Sequence, residues 1–297
     1  MKYSRFGRTG FEVSKISLGT VEIGMDYGIA GSRPDEGEAA RLLHRALDLG
    51  INFIDTARVY GEAEAIIGRA ISERRKEFVL VSKVLADGDV RASVRESLRL
   101  LRTDFIDILM IHSAPLAVIQ QGETLAVLQE LKAEGLIRAI GASVYGEETA
   151  IAAIDAGGYD CLQIAYSVLD RRPESRVFAA AEAADVGLVA RSILLKGALS
   201  DRYSGLPDGL ADLRTAVEGI AQLTGGDAGA LPELAYRYVL SQPCLQSALV
   251  GAGSIEELEA AVRFEAMGKL SPQMMAGVYG IPTLDPFYLN PGNWPAN

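Results

Sequence analysis

Four residues whose side chains can exchange protons follow apolar stretches that are far apart in the chain. The run Ile-Asn-Phe-Ile ends on Asp55, and Tyr60 follows in the next few residues. Lys83 closes a second apolar run and His112 closes a third. A carboxylate, a phenol, an ammonium group and an imidazole could together deliver a proton to a substrate oxygen. That chemistry requires the fold to bring all four to one place.

A tyrosine has an ordinary pKa of ~10, so proton transfer near neutral pH calls for a cation close to its hydroxyl. Lys83 within hydrogen-bond reach of Tyr60 would favour the phenolate, and Asp55 beside the lysine would keep the ammonium charged and oriented. A neutral His112 could donate to a carbonyl oxygen and fix its position. The set is suited to protonating a carbonyl oxygen while hydride reaches the carbon, and the hydride must come from a cofactor.

Each of the four residues also has an ordinary structural interpretation. Asp55 could cap the helix that follows it, and Lys83 could simply emerge into solvent at the end of its strand. Tyr60 could be an aromatic residue of a rim, and His112 could be buried with its hydrogen bonds satisfied. Taken one at a time, these interpretations explain the residues well. Their joint occurrence at the ends of strands favours a functional set.

The apolar pattern alternates between short strand-like runs and longer helical stretches. Each short run is almost continuously apolar, which is typical of parallel strands buried on both faces. Helical patterns such as 36–49 and 122–134 lie between them and stop at Gly50 and Gly135. The predicted strands are 14–20, 51–57, 78–84, 106–112, 137–144, 161–167, 187–192 and 246–252.

This alternation predicts an α/β protein, a (β/α)8 TIM barrel with an N-terminal β-hairpin and a C-terminal tail, with a doubly wound open sheet as the alternative. One domain is expected over residues 1–297, because no linker interrupts the pattern. The hairpin is expected at about residues 1–13, and further length lies in the 195–230 segment and in the tail from about residue 268. Barrels of this type carry their catalytic groups at the carboxyl ends of the strands, so the four residues would share one mouth.

Composition and charge limit the classes of protein that the chain can be. Hydrophobic residues make up 49% and charged residues 23%, as in a soluble globular protein. A net charge of -10 argues against a nucleic-acid partner, and no apolar run reaches the ~18 residues that a membrane helix needs. The N-terminus lacks a signal-peptide core, and Cys161 and Cys244 are predicted to be buried thiols, which suits the cytoplasm. No metal-ligand spacing is present.

Four stretches resemble the aldo-keto reductase superfamily: ALDLGINFIDTARVYGEAEAIIG, VSKV, ILMIH and IGASVYG. The similarity covers the chain from about residue 3 to about residue 265. It implies that Asp55, Tyr60, Lys83 and His112 form the catalytic tetrad of the superfamily, with Tyr60 as general acid/base. It also implies an NADP or NAD cofactor extended across the mouth of the barrel.

The resemblance further implies a set of cofactor contacts. Ser143 and Gln163 would contact the carboxamide of the nicotinamide. The loop that would hold the nicotinamide ring and the pyrophosphate contains Arg191, Ser192, Leu194 and Lys196. The contacts at the adenosine end would lie between Gly251 and Glu259, with Gly251, Gly253, Ser254 and Glu257 among them. Gly19 and Thr20, at the end of the first strand, complete the set.

The chain departs from the pattern of many superfamily members at three places. Val144 stands where many have asparagine, which removes one carboxamide contact. Arg191 stands where many have an aromatic residue that stacks on the nicotinamide, and an arginine could lie flat on the ring instead. The stretch GAGSIEELEA after the eighth strand offers no cation for a 2′-phosphate, so NADP and NAD are both compatible. The same stretch is not a Rossmann fingerprint, because Glu256 replaces the third glycine.

The predicted function is an NAD(P)(H)-dependent oxidoreductase that interconverts a carbonyl group (aldehyde, ketone or sugar) and its alcohol. One alternative is a nucleotide-binding regulatory subunit with little turnover. The other is a Schiff-base lyase that uses Lys83, which Asp55 disfavours by keeping the lysine protonated. The oligomeric state is open. Substrate choice is expected to depend on variable segments, namely Val21 to Pro34, Ser113 to Leu116, 197–210 and the tail. The first of these offers Glu22, Met25 and Tyr27 as lining. In the tail, Phe287, Tyr288 and Trp294 would either line the pocket or pack outside it.

Overall fold

The computed structural model describes residues 1–29 and 33–295, and its centre is a closed barrel of parallel strands. The barrel strands pair with one another in chain order. Two short strands precede them and pair antiparallel. The strands are β1 (Tyr3–Arg5), β2 (Glu12–Ser14), β3 (Ile16–Gly19), β4 (Phe53–Asp55), β5 (Val79–Val84), β6 (Ile106–Ile111), β7 (Ile137–Val144), β8 (Cys161–Ala165), β9 (Gly187–Arg191) and β10 (Ser247–Gly251).

The barrel closes where its last strand joins its first. Gly251 of β10 lies level with Gly19 of β3, and on the other side Ser247 lies level with Val189 of β9. In an open sheet, two strands would have kept a free edge. The (β/α)8 TIM barrel predicted from the sequence is therefore confirmed, and the open-sheet alternative is wrong.

Helices cover the outside of the barrel, and α2 shows why they form where they do. Its buried positions repeat every three or four residues, so one face packs on the strands. Asp35 and Glu38 form a reciprocal capping box at its N-terminus, and Gly50 follows its end with a φ of 82°. The helices are α1 (Val21–Gly24), α2 (Glu36–Asp48), α3 (Ala63–Ala70), α4 (Val90–Leu101), α5 (Leu116–Gln121), α6 (Glu123–Ala133), α7 (Glu147–Asp155), α8 (Val177–Ala183), α9 (Ala211–Gln222), α10 (Leu231–Leu240), α11 (Ile255–Ala266) and α12 (Pro272–Tyr279).

The predicted N-terminal hairpin covers the amino-terminal end of the barrel. Strands β1 and β2 pair with Tyr3 opposite Ser14, and a short 3₁₀ turn at Gly7–Thr9 lies between them. Phe6 is fully buried, and its ring centroid lies 5.3 Å from that of Phe53 inside the barrel. The hairpin therefore closes this end of the barrel with an aromatic side chain.

The C-terminal tail packs outside the barrel. The guanidinium of Arg171 donates to the carbonyls of Val278 and Ile281, at 2.6 and 2.7 Å. Farther along, the Tyr288 hydroxyl lies 3.0 Å from Asp212 at the start of α9. Trp294 donates from its indole to the carbonyl of Tyr288. Tyr288 and Trp294 thus pack outside the barrel, which was the second alternative for the tail. Residues 296–297 lie outside the described part of the chain.

Strand limits differ from the predicted ones by a few residues. The strand predicted at 51–57 is shorter and covers Phe53–Asp55, and the strand predicted at 106–112 ends at Ile111. Both cysteines are free, with Cys161 buried and Cys244 partly exposed. Within residues 1–29 and 33–295, no helix has the length and the apolar character needed to cross a membrane.

Candidate active site

A buried ion pair lies beneath the open end of the barrel. Asp55 is level with Val81 in the β4–β5 register, so Lys83, two residues farther on the same face, reaches over it. The Lys83 ammonium donates to the Asp55 carboxylate at 2.5 Å and to the Thr56 carbonyl at 2.9 Å. Lys83 is 0% exposed, so the interpretation that it emerges into solvent is wrong. A charge buried this deeply requires such partners.

Asp55 is held from two sides. Its second carboxylate oxygen accepts a 2.8 Å hydrogen bond from the side-chain amide of Gln163. The next helix, α3, begins only at Ala63, and Glu62 occupies its N-cap position. The helix-cap interpretation of Asp55 is therefore wrong, and the carboxylate instead fixes the position of the Lys83 ammonium.

Tyr60 lies on the loop after β4, partly buried, with its hydroxyl 3.5 Å from the Lys83 nitrogen. Burial raises the pKa of Tyr60 above its ordinary value, and the charge of Asp55 raises it further. The sequence led us to expect a phenolate favoured by the lysine. In the structure the lysine charge is already balanced by Asp55, and burial penalises the phenolate. The phenol therefore keeps its proton at neutral pH.

His112 follows β6 directly and contacts Tyr60 edge to face, with ring centroids 5.5 Å apart and an interplanar angle of 85°. Its buried Nδ1 has no hydrogen-bond partner among the described residues, so the interpretation as a satisfied histidine is wrong for that atom. Burial first, and then the charges of Lys83 and Arg191, lower the pKa of His112 to about 3. The imidazole is therefore neutral and can donate from one ring nitrogen only.

A cavity of about 860 Å³ opens above these residues, near the upper end of the usual range for ligand sites. Asp55, Tyr60 and His112 line it, whereas Lys83 lies beneath its wall and is not part of the lining. The lining also contains the residues for which the resemblance implied cofactor contacts: Gly19, Thr20, Ser143, Gln163, Arg191, Ser192, Leu194, Lys196, Gly251, Gly253, Ser254 and Glu257.

Arg191 lies over an aromatic ring of the protein itself. Its guanidinium carbon is 3.8 Å from the centroid of the Tyr145 ring, and the group donates to the Val144 carbonyl and the Ser192 hydroxyl, both at 3.2 Å. The Nε of Arg191 is buried with no partner among the described residues. The backbone that follows is strained, since Ser192, Leu195 and Lys196 all have positive φ.

An ion pair closes the far end of the cavity. The Arg202 guanidinium lies 2.6 Å from the Glu257 carboxylate, which also accepts a 2.9 Å hydrogen bond from the Gly253 N–H. Ser254 caps α11 by accepting from the Glu257 N–H. The stretch GAGSIEELEA itself contains no cation, as its sequence shows, but Arg202 brings one to this end from elsewhere in the chain. Arg202 belongs to the 197–210 segment, and no local sequence pattern predicts its contact with Glu257.

Sequence reasoning missed part of the lining. Tyr236 of α10 and Phe264 of α11 face the cavity and stack with ring centroids 6.2 Å apart. Both lie at helical spacings that read as ordinary core, so no signal in the chain distinguished them. From the first variable loop, Glu22 and Tyr27 line the cavity but Met25 does not. Residues 30–32 of that loop lie outside the described residues.

A family model described as the Aldo/keto reductase family matches residues 15–281. The chain belongs to this family. It is 31% identical to the aldo-keto reductase YhdN of Bacillus subtilis (strain 168), over 88% of this chain and 87% of the relative. It is 29% identical to the NADH-specific methylglyoxal reductase of Escherichia coli (strain K12), over 87% of this chain and 91% of the relative.

A solved structure supports the same placement. The aldo-keto reductase AKR11C1 from Bacillus halodurans, in its holo form, superposes with a TM-score of 0.79 at 28% identity. The match covers 95% of this chain and 96% of that one. This aldo/keto reductase is therefore an oxidoreductase of a family that uses NAD(P)H and acts on small-molecule carbonyl compounds.

Proposed function

We propose that this aldo/keto reductase interconverts a small-molecule carbonyl compound (an aldehyde, ketone or sugar) and its alcohol, with Tyr60 as general acid/base. The observation that carries the proposal is the position of Tyr60. Its hydroxyl lies at the cavity wall, 3.5 Å from a buried ammonium group and in edge contact with a neutral imidazole. An acid held beside a cation is suited to giving a proton to an oxygen that becomes negative.

The four residues divide the proton chemistry among them. Tyr60 donates to the carbonyl oxygen, and the buried Lys83 stabilises the negative charge that the phenol oxygen then acquires. Asp55 keeps Lys83 protonated and aimed. His112, neutral because its pKa is lowered to about 3, donates a hydrogen bond that places the substrate oxygen. A bound nicotinamide cofactor supplies the hydride that this chemistry needs.

The cavity suits an extended dinucleotide in size and offers cations to its phosphate groups. It runs from Ser143 and Gln163 beside the ion pair to Ser254 and Glu257 at the far end. The cations that line it are Arg191, Lys196 and Arg202. Arg202 supports a 2′-phosphate and Glu257 supports a free 2′-hydroxyl, so we propose NADP or NAD without a preference.

The test is the oxidation of NADH and of NADPH by the purified protein with methylglyoxal, small aldehydes and aldoses. Turnover is expected in the wild type. Tyr60→Phe removes only the donated proton, so kcat is expected to fall by about 10²- to 10⁴-fold while cofactor affinity stays within about twofold. Wild-type kcat in Tyr60→Phe would contradict the role of Tyr60. Cofactor binding with no turnover on any carbonyl would instead support a regulatory subunit.

The Schiff-base alternative finds no support in the geometry. Lys83 is 0% exposed, makes three hydrogen bonds and lies beneath the cavity wall, where a carbonyl carbon does not reach it. Borohydride treatment in the presence of a carbonyl substrate is therefore expected to leave Lys83 unmodified, as mass spectrometry would show. An adduct on Lys83 would revive the lyase alternative.

A further inference from the structure

Glu22 is an ionisable group of the cavity that the proposed proton transfer does not use. It lies on α1 and is partly buried. Its Oε2 is shielded from solvent and has no hydrogen-bond partner among the residues that the structure describes. Leaving a buried carboxylate oxygen unpaired costs free energy, so the carboxyl group in the wall of this cavity favours its protonated form, which has an O–H to donate to a ligand.

The backbone at Gly251 makes room for the Glu22 carboxyl group. A Cβ atom at Gly251 would lie only 2.1 Å from the Oε1 of Glu22. Gly251 pairs with Gly19, so the carboxyl group lies over the junction at which β10 closes the barrel against β3. Both residues line the cavity as well. Glu22 therefore occupies a built position in the cavity wall.

Glu22 lies between the two ends of the cavity, because charges from both ends act on it. Burial raises the pKa of Glu22 to about 7, against a hydrogen bond from its own backbone that lowers it; Glu257 and Asp55 raise it further and Arg202 lowers it. The carboxyl group thus holds its proton to a higher pH than an ordinary glutamate does. The titratable and charged groups that face it are Tyr27 on its own loop, Asp55 on β4, Tyr60 on the following loop, Arg202 on the 197–210 segment, Tyr236 on α10 and Glu257 on α11.

We propose that Glu22 contacts the diphosphate of the bound dinucleotide, donating a hydrogen bond when protonated and opposing binding when ionised. The proposal rests on the proposed function, since it names a contact of the same cofactor. The diphosphate is the middle part of an extended dinucleotide, and Glu22 lies between the two ends of the cavity. A neutral carboxyl group can donate to a phosphate oxygen, whereas a carboxylate in the same position repels it.

The proposal fixes the sign of a pH dependence. Below about pH 7 the carboxyl group is protonated, and the affinity for the dinucleotide is at its maximum. Above that pH, binding must first restore the proton, so the dissociation constant rises about tenfold per pH unit. The complex accordingly takes up a proton when it forms in mildly alkaline buffer.

Calorimetric titration with NADH and with ADP-ribose, from about pH 6.5 to about pH 8.5, tests the proposal, with two buffers of different ionisation enthalpy at each pH. In the wild type, the dissociation constant is expected to rise about tenfold over the last unit, with proton uptake. Glu22→Gln keeps the shape and a donor but does not titrate. Its dissociation constant is expected to change less than about twofold over this pH range, and binding is expected to proceed without proton uptake.

Glu73→Gln provides the matched control, because Glu73 is exposed and is not part of the cavity lining. It should keep the wild-type profile. Glu22→Ala, which removes the donor as well, should lose the pH dependence and bind more weakly than Glu22→Gln. A Glu22→Gln profile that repeats the wild type, or a flat wild-type profile, overturns the inference and leaves the proposed function intact. Failure of NADH and NADPH to bind the wild type or Glu22→Gln at any pH overturns both.

Discussion

At the scale of single residues, burial decides which proton form each group of the site adopts. The same loss of solvent that keeps Tyr60 protonated keeps His112 neutral, because it penalises whichever form is charged. Lys83 differs from these two, because the proposed chemistry needs its charged form. Burial lowers the pKa of Lys83 as well, but Asp55 acts against that effect. The ammonium group therefore depends on its carboxylate partner.

Asp55→Asn should reduce turnover through Lys83. Without the carboxylate, the main opponent of burial is gone and the lysine loses its proton at a lower pH, so the charge that supports Tyr60 is lost more easily. We expect kcat to fall by about 10²-fold and its pH profile to shift toward lower pH. Steady-state kinetics over a pH series checks this. An exposed control, Asp104→Asn, should behave as wild type. A lower kcat with an unshifted profile would argue for a merely structural role.

Glu257→Gln should change the choice between the two cofactors. The variant removes an anion from the far end of the cavity and releases Arg202 from its 2.6 Å ion pair. A 2′-phosphate therefore gains the freed guanidinium as a donor, whereas a 2′-hydroxyl exchanges a carboxylate acceptor for a weaker amide carbonyl. We expect the affinity ratio of NADPH to NADH to rise about tenfold, measured by titration of both. If the ratio does not change, Glu257 does not face the 2′ position.

At the scale of elements, two glycines let α1 approach the loop that carries Tyr60. A Cβ at Gly24 would lie 1.9 Å from the Tyr60 carbonyl oxygen, and a Cβ at Gly61 would lie 2.4 Å from the Gly24 carbonyl oxygen. Gly61 also has a φ of 54°, which suits glycine. The Glu62 N–H donates to the Gly24 carbonyl and joins the two elements. This contact sets where the Tyr60 hydroxyl lies.

Gly24→Ala should therefore displace the Tyr60 loop. Because the added methyl group meets backbone atoms that cannot rotate away, we expect kcat to fall at least about tenfold while cofactor affinity changes less. Gly88→Ala, at an exposed glycine whose added Cβ would meet nothing within 4 Å, is the control. Kinetics together with cofactor titration separate the two effects. Equal losses of kcat and of cofactor affinity would contradict a displacement confined to the Tyr60 loop.

The elements that the sequence predicts well are those whose evidence is local. Continuous apolar runs predicted every barrel strand, and Gly50 marked the end of α2 where the structure ends it. The DTA–Y–G stretch marked Asp55 and Tyr60 because Asp55 ends β4 and Tyr60 lies on the loop that follows it. Arg202 escaped notice because its contact with Glu257 joins distant parts of the chain, and Tyr236 escaped because it shares the spacing of core residues.

At the scale of the whole molecule, the site makes the fold sensitive to acid. The ordinary pKa of histidine is ~6.5, whereas that of His112 in the fold is about 3. Folding thus favours the neutral form of His112. The contribution of this preference to the free energy of unfolding is complete above about pH 6.5 and is lost as the pH falls toward 3. Acid stability consequently depends in part on a residue to which we assign a role in the proposed reaction.

His112→Asn should weaken this acid sensitivity. Between about pH 7 and about pH 5, the wild type should lose about 1–2 kcal/mol more of its unfolding free energy than the variant does. Denaturant unfolding at the two pH values, followed by circular dichroism, checks this. His44→Asn, on the exposed face of α2, should lose as much as the wild type. Identical losses for His112→Asn and wild type would contradict the prediction.

Closure by β10 also has a consequence for how the chain is made. Until Ser247–Gly251 leaves the ribosome, β3 and β9 have no partner on one side, and two bare strand edges invite aggregation. The final pairing joins Ala248 to Ile16 across most of the chain, and such distant contacts form slowly. The same strand supplies Gly251, beneath Glu22. A nascent chain therefore acquires its complete cavity only once β10 and α11 are made, and early termination should yield a product that needs chaperones and holds no ligand.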